Sequence, residues 1–334
     1  MRVRQPTRFG AAVLLSLGLA AASFAMAVPA TAACAGPGCK PGHNGGHTVT
    51  NTVMLGPSGA NINPFAVAVD PSDHTVYSTD DTGDSVSVIN GASISATVPL
   101  GANTDPFAIA ADPGTHNVYV TNPRYGTVSV INGTAVVATI TVGRQPYGVA
   151  VDPGNGTVYV ANQSDGTLSV INGTTVTNTI PASTYPYGVA VDASTHTVYV
   201  TDPLSYTVSE INGTAVTSTV PISAQPNEVA VDSGTHTAYV TNYTNGSVTV
   251  INGTTVTATV GVGNYPLWVA VDPGTQTAYV PNNGSTTVSV INGTSVTDTI
   301  TVGNGPDGVA VDPGTHKVYV ANYSDNTVSV INGH

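Results

Sequence analysis

Basic side chains are scarce in this chain: seven Lys and Arg stand against nineteen Asp and Glu in 334 residues. Arg2, Arg4 and Arg8 lie in the first stretch. Beyond it Lys40, Arg124, Arg144 and Lys317 face all nineteen acids, a net charge of about −15. Polyanions are held by clustered Lys and Arg that release counterions, and this chain has no such cluster. Nucleic acid is therefore excluded as a partner. Cysteine is nearly absent as well: Cys34 and Cys39 are the two present. No thiol is left for catalysis or metal binding anywhere after residue 39. No long apolar run follows residue 32, so no membrane span is expected beyond it.

Residues 1–32 do carry such a run, and they read as a secretory signal. Arg2, Arg4 and Arg8 form a basic start, Ala11 to Val28 is apolar, and Ala30-Thr31-Ala32 offers a small-residue cleavage site. A membrane anchor is the alternative reading of the same segment. The expected location is extracellular or at the cell envelope. Residues 33–46 form a Gly/Pro-rich linker. In an exported protein its Cys34 and Cys39 are expected to pair as a short-loop disulfide. Lipid attachment at Cys34, after Ala32-Ala33, stays open beside that reading.

From residue 47 to residue 334 the chain repeats itself. Asp70, Asp112, Asp152, Asp192, Asp232, Asp272 and Asp312 recur after a first step of 42 residues and later steps of 40. Each copy resembles Pro146 to Ile180: an apolar Gly148-Val149-Ala150-Val151 run, a turn at Asp152-Pro153-Gly154, then Val158-Tyr159-Val160. Leu168 to Ile171 follows, then Asn172-Gly173 and a Thr/Val run. Short alternating β-branched segments separated by turns predict four strands per copy. Asn-Gly predicts a hairpin with both residues at positive φ. Seven copies of about 40 residues with four strands each predict an all-β, seven-bladed β-propeller. The last copy stops before its Thr/Val run, and an unattached run, His47 to Leu55, precedes the first. Strand 47–55 is therefore expected to complete blade 7 and close the ring, removing an open edge.

Chain order puts the Asp-Pro-Gly and Asn-Gly turns on one face, the bottom. The loops after the second and fourth strands lie on the top face. Bottom turns are near-copies of one another, whereas top loops differ from blade to blade. Diversified loops over uniform scaffolding mark a binding face. The candidate ligand-contacting residues there are Arg124, Tyr125, Arg144, Tyr147, Tyr187, Glu228, Trp268 and Asp307. Asp80, Asp81 and Asp84 form a dense carboxylate cluster and are a candidate calcium site, though the spacing is incomplete for a calcium loop. No other cofactor is expected.

Strictly repeated residues read as structural. The second-strand tyrosines (Tyr77, Tyr119, Tyr159, Tyr199, Tyr239, Tyr279, Tyr319) should pack between blades. His74, His116, His196, His236 and His316 should be turn residues, because blades about 10 Å apart cannot converge three imidazoles on one metal. For catalysis the acid/base candidates reduce to Glu228, Asp105 and Asp307. A raised pKa in a closed pocket would mark one of them.

Val118-Tyr119-Val120-Thr121-Asn122 and Tyr239-Val240-Thr241-Asn242, with Gly-Val-Ala-Val-Asp and Ser-Val-Ile-Asn-Gly strings around them, resemble the YVTN-type repeat. The resemblance covers about residues 47–334. It implies a secreted or envelope-associated seven-bladed propeller of surface-layer type, similar in architecture to lactonase and lyase propellers. The expected function is non-enzymatic binding of a cell-wall or surface glycan or protein by a monomer. The alternative is a lactonase or lyase acting at the mouth of the central channel.

Overall fold

The computed structural model describes residues 46–56 and 62–333. Residues 1–32, expected to be a signal, and Cys34 and Cys39 lie outside the described residues. Those residues form seven four-stranded antiparallel sheets and no helix. In blade 3 the strands are Pro146–Asp152, Thr157–Asn162, Thr167–Asn172 and Thr175–Pro181, hydrogen-bonded in that order from the axis outward. The alternation decides which side chains are buried. The second strand is buried along nearly its whole length, because both its faces meet neighbouring blades. The outer strand exposes Thr175, Thr177 and Thr179 and buries Ile180. The ring closes as the unattached run demands: Thr48–Met54 pairs antiparallel with Thr327–Asn332 as the outer strand of blade 7. Val53 and Leu55 enter the core there.

Three kinds of contact recur between neighbouring blades, and each explains a recurring residue. Tyr159 packs with Val189, Val198 and Val200 of blade 4, and Tyr119 Oη donates to the Gly173 carbonyl of blade 3 at 3.1 Å. The Thr of the Tyr-Val-Thr-Asn string is a hydroxyl bridge at the top. Thr121 Oγ1 accepts from Ala108 N at 3.0 Å and donates to the Tyr147 carbonyl of the next blade at 2.8 Å. Thr79, Thr201 and Thr241 repeat the arrangement.

At the bottom, each repeat histidine ties two blades. His196 Nδ1 lies 2.6 Å from Asp152 Oδ2, and His74, His116, His236 and His316 make the same contact with Asp312, Asp70, Asp192 and Asp272 at 2.7–2.8 Å. The histidines are turn residues, as expected, each with φ between 56° and 62°. Their turn position holds Gly156 in blade 3 and Gln276 in blade 6, so Asp112 and Asp232 have no such histidine. Each aspartate also caps its own turn: Gly154 N donates to Asp152 Oδ1 at 2.9 Å. Asp152→Ala removes both acceptors from a fully buried site and is expected to cost about 2–4 kcal/mol. His196→Ala, whose ring is half exposed, is expected to cost under about 1 kcal/mol. Urea unfolding midpoints of the two variants check this ordering.

The Asn-Gly hairpins differ in detail from expectation. Asn172 pairs with Thr175, so the two loop residues are Gly173 and Thr174, and Gly173 alone takes positive φ, at 59°. That is the type II′ pattern with glycine first, and the asparagine remains in the strand.

Candidate functional site

The top face is built by the residues following each entry proline. In blades 1, 3, 5 and 7 the inner strand carries a bulge there, between Pro146 and Val149 in blade 3. One extra residue bends the strand and re-aims the side chain beside the proline. Rings from five blades then meet over the axis. Phe107 lies 4.7 Å from both Phe65 and Tyr147, 5.9 Å from Tyr187 and 6.3 Å from Trp268. Tyr147 and Tyr187 stack at 5.3 Å, and Trp268 reaches Phe65 at 6.1 Å. Tyr147 and Tyr187 are 6 % and 9 % exposed, and Trp268 is partly buried. Tyr147 and Tyr187 therefore meet each other and Phe107 rather than solvent, and Trp268 packs on Phe65 and Phe107 with part of its surface still open: together these rings fill the channel mouth.

Glu228 and Asp307 sit in the same inner ring, 5 % and 3 % exposed. Glu228 accepts the backbone N–H groups of Val229 and Val189, and burial pushes its carboxyl up to about 8. A Cβ on Gly188 would fall 2.8 Å from Glu228 Oε1, so the glycine of blade 4 makes the room this side chain fills. Glu228 thus has the raised pKa of an acid/base residue, in a site packed by protein.

Both candidate arginines are tied to top-loop carboxylates. Arg144 Nε donates to Asp165 Oδ1 at 2.6 Å and its backbone N–H to Oδ2 at 2.7 Å, which holds Asp165 below the usual carboxylate range. Arg124 lies 3.7 Å from Asp105.

The clustered acids Asp80, Asp81 and Asp84 engage separate structural partners, two through the carboxylate and Asp81 through its backbone. Asp80, 2 % exposed, accepts the hydroxyls of Ser85 and Ser87 at 2.8 and 3.0 Å, and burial raises it to about 7. Asp84 accepts the backbone N–H groups of Asn103 and Asp105 and the Thr104 hydroxyl, bracing the loop into blade 2. Asp81 donates its backbone N–H to the Asn63 carbonyl. Among the described residues the three side chains whose ligand atoms do converge within 4.8 Å are Asp70, Asp73 and His116, on the bottom face.

What the top face offers to solvent is a rim of apolar and aromatic side chains. Tyr125, Leu204, Tyr206 and Tyr265 are 54, 52, 46 and 49 % exposed. Tyr243 joins them, 5.0 Å from Tyr265. Tyr125 was among the sequence candidates; Leu204, Tyr206, Tyr243 and Tyr265 were not. The clearest signal available was at Tyr206, a bulky residue where the other blades carry Asp84, Gly126, Gly166, Gly246, Thr286 and Asn326. A shallow cleft of about 530 Å³, lined by Thr52, Met54, Val302 and Thr327 among others, opens at the circumference between blades 6 and 7.

No family model matches the chain, and no curated protein does. Solved structures do. A catalytically inactive histidine-to-alanine form of virginiamycin B lyase from Staphylococcus aureus, with quinupristin, is 13 % identical. The match has a TM-score of 0.74 and covers 84 % of this chain and 99 % of that one. Kuenenia stuttgartiensis hydrazine synthase matches at 21 % identity and TM-score 0.70, over 82 % and 96 % of the two chains. The WD40 propeller domain of Doa1 matches at 14 % and 0.72, over 86 % and 97 %. At these identities the likeness is one of fold. The chain is a seven-bladed propeller.

Proposed function

We propose that this protein is an exported binding module whose top face engages glycan or protein of the cell envelope. The observation that carries this reading is the exposed aromatic rim. Large aromatic side chains are costly to leave in water, and binding surfaces are enriched in them. Tyr206 stands on a loop braced by Asp202, which accepts the Leu204 and Ser205 N–H groups; Tyr265 stands on one held by Asn282, which accepts the Gly263 N–H; and Tyr125 donates its own hydroxyl to the Ala102 carbonyl. The channel mouth beneath is filled by aromatic packing. The acidic surface argues against polyanionic partners.

Co-sedimentation of the protein with isolated cell walls, with and without calcium, tests the reading. Saturable binding is expected, lost in a Tyr125→Ala, Tyr206→Ala, Tyr265→Ala triple variant and kept in His236→Ala on the bottom face. Binding that ignores the triple substitution contradicts it. Dependence on calcium would instead bring Asp80, Asp81 and Asp84 into the site.

One observation favours the alternative of a lyase or lactonase at the axis: the buried, raised Glu228 in a fold shared with virginiamycin B lyase. The histidines offer it no support, since the six in the described residues all stand at the bottom of the ring. Consumption of quinupristin, followed by mass spectrometry and abolished by Glu228→Gln, would establish that reading over the binding module.

A further inference from the structure

We propose that Tyr243 and Tyr265, at the top of the junction between blades 5 and 6, form a stacking platform for a neutral pyranose ring of an envelope glycan. This rests on the top-face binding reading above. The two rings lie 5.0 Å apart at an interplanar angle of 30°. Tyr265 keeps 49 % of its surface exposed, and Tyr243 is half-buried beside it.

Two features show that the fold accommodates Tyr265 at a disadvantage. Its φ is 55°, in the left-handed region that bulky side chains rarely adopt. The same step before the entry proline of blade 7 is taken by Gly305, at φ 60°, without steric penalty. The step recurs at Asn63, Asp105 and Gln145 at φ 47–54°, so it belongs to the repeated loop, and Tyr265 fills it with the bulkiest of these side chains. The second feature is Gly284. A Cβ there would lie 2.6 Å from Tyr265 Cδ2, so the missing side chain is the space the ring uses. The equivalent positions of the other blades, Thr82, Arg124, Ser164, Leu204, Thr244 and Ser324, all carry side chains. Backbone bonds from Asn283 N to the Tyr265 carbonyl (3.2 Å) and from Gly284 N to the Asn264 carbonyl (3.1 Å) fix the two loops together. A rigid aromatic anchor of this sort loses little freedom on binding.

The chemistry around the rings selects the ligand class. Thr244, Asn245, Asn264 and Asn283 supply hydroxyl and amide groups, and no Lys or Arg occurs between residues 243 and 285. Amides both donate and accept, which matches sugar hydroxyls, while the ring faces suit the C–H face of a pyranose. A phosphate or uronate would lack a basic partner. A cation would need an accessible carboxylate, and the one acting on Tyr243, Asp307, is 3 % exposed.

The test is calorimetric titration of the protein with chitohexaose and with cellohexaose, run beside wall co-sedimentation. Saturable binding of at least one hexasaccharide is expected, weakened at least about tenfold by Tyr265→Gly and by Gly284→Ala. It should survive in Tyr265→Phe and in His236→Ala on the bottom face. Tyr265→Gly should melt no lower than the parent, since glycine relieves the left-handed strain, which separates lost binding from lost folding. Failure of both sugars to bind, or binding that survives Tyr265→Gly, overturns the platform. If wall binding persists in that case, the platform alone falls; if the parent does not bind walls, the binding-module reading falls with it.

Discussion

Stability is expected to fall by about 2–5 kcal/mol for each of two buried acids as pH rises from about 4 to about 8. The acids are Glu228, raised from 4.5 to about 8, and Asp80, raised from 3.8 to about 7. In both, burial penalises the charged form. The folded chain therefore keeps these protons over a range in which the unfolded chain has released them. The unfolded state binds fewer protons there, so stability declines with pH until each folded value is passed. Asp80→Asn and Glu228→Gln should flatten the decline and raise stability at pH 8 while changing little at pH 4. The repeat supports the first change. Asn122, Asn162, Asn242, Asn282 and Asn322 occupy Asp80's position, and Asn162 Nδ2 donates to the hydroxyls of Thr167 and Ser169 at 3.1 and 2.9 Å. Urea unfolding of the parent and both variants from pH 4 to 9 checks this; parallel profiles would contradict it.

The interblade bridges add to the same trend on the alkaline side and set its acid limit. Hydrogen bonding to Asp70 raises His116, a contribution that is present below its unfolded value and lost as pH rises through its higher folded one. Asp192 is held down to about 2: burial alone would raise it, but bonds from Ser194 and His236 outweigh that. Its contribution is present above the ordinary carboxylate value and lost as pH falls toward about 2. Maximal stability is accordingly expected in mildly acidic solution.

Deleting residues 46–56 is expected to abolish cooperative folding or cause aggregation. The deletion removes Val53 and Leu55, 2 % and 3 % exposed, from the seam between blades 7 and 1. Burial of each is worth about 1.5–3 kcal/mol. It also strips Thr327–Asn332 of its partner, leaving an open edge on an otherwise closed blade. Together these losses approach the whole net stability of a typical domain, about 5–15 kcal/mol. Size-exclusion profile and melting temperature report the result. A deleted form that stays monomeric and melts with the parent would mean that the ring does not depend on this strand.

The architecture was legible in the sequence because each copy carries its own strand and turn signals and because the two ends complement each other. The tyrosines and histidines were legible as structural from repetition alone. Their partners were not: the His196–Asp152 bridge joins residues 44 apart, across a blade boundary that strand patterning does not encode. The candidate site was legible as a face but only partly as residues. Variation after the entry prolines drew attention to Tyr147, Tyr187 and Trp268, yet ring-on-ring packing near the narrowing axis buries the first two and partly buries the third. Tyr206 and Tyr265 escaped notice because a left-handed φ cannot be inferred for a tyrosine. The pairing of Tyr265 with Gly284 likewise needs two loops 19 residues apart to meet.

Hydrogen-exchange mass spectrometry of the protein with and without cell-wall fragments tests the central claim most directly. The account predicts new protection confined to the top loops, above all residues 122–126, 202–206, 242–246 and 262–265, with the bottom turns at 152–156 and 172–175 unchanged. Protection at the bottom turns, or none on either face, would contradict a top-face binding module.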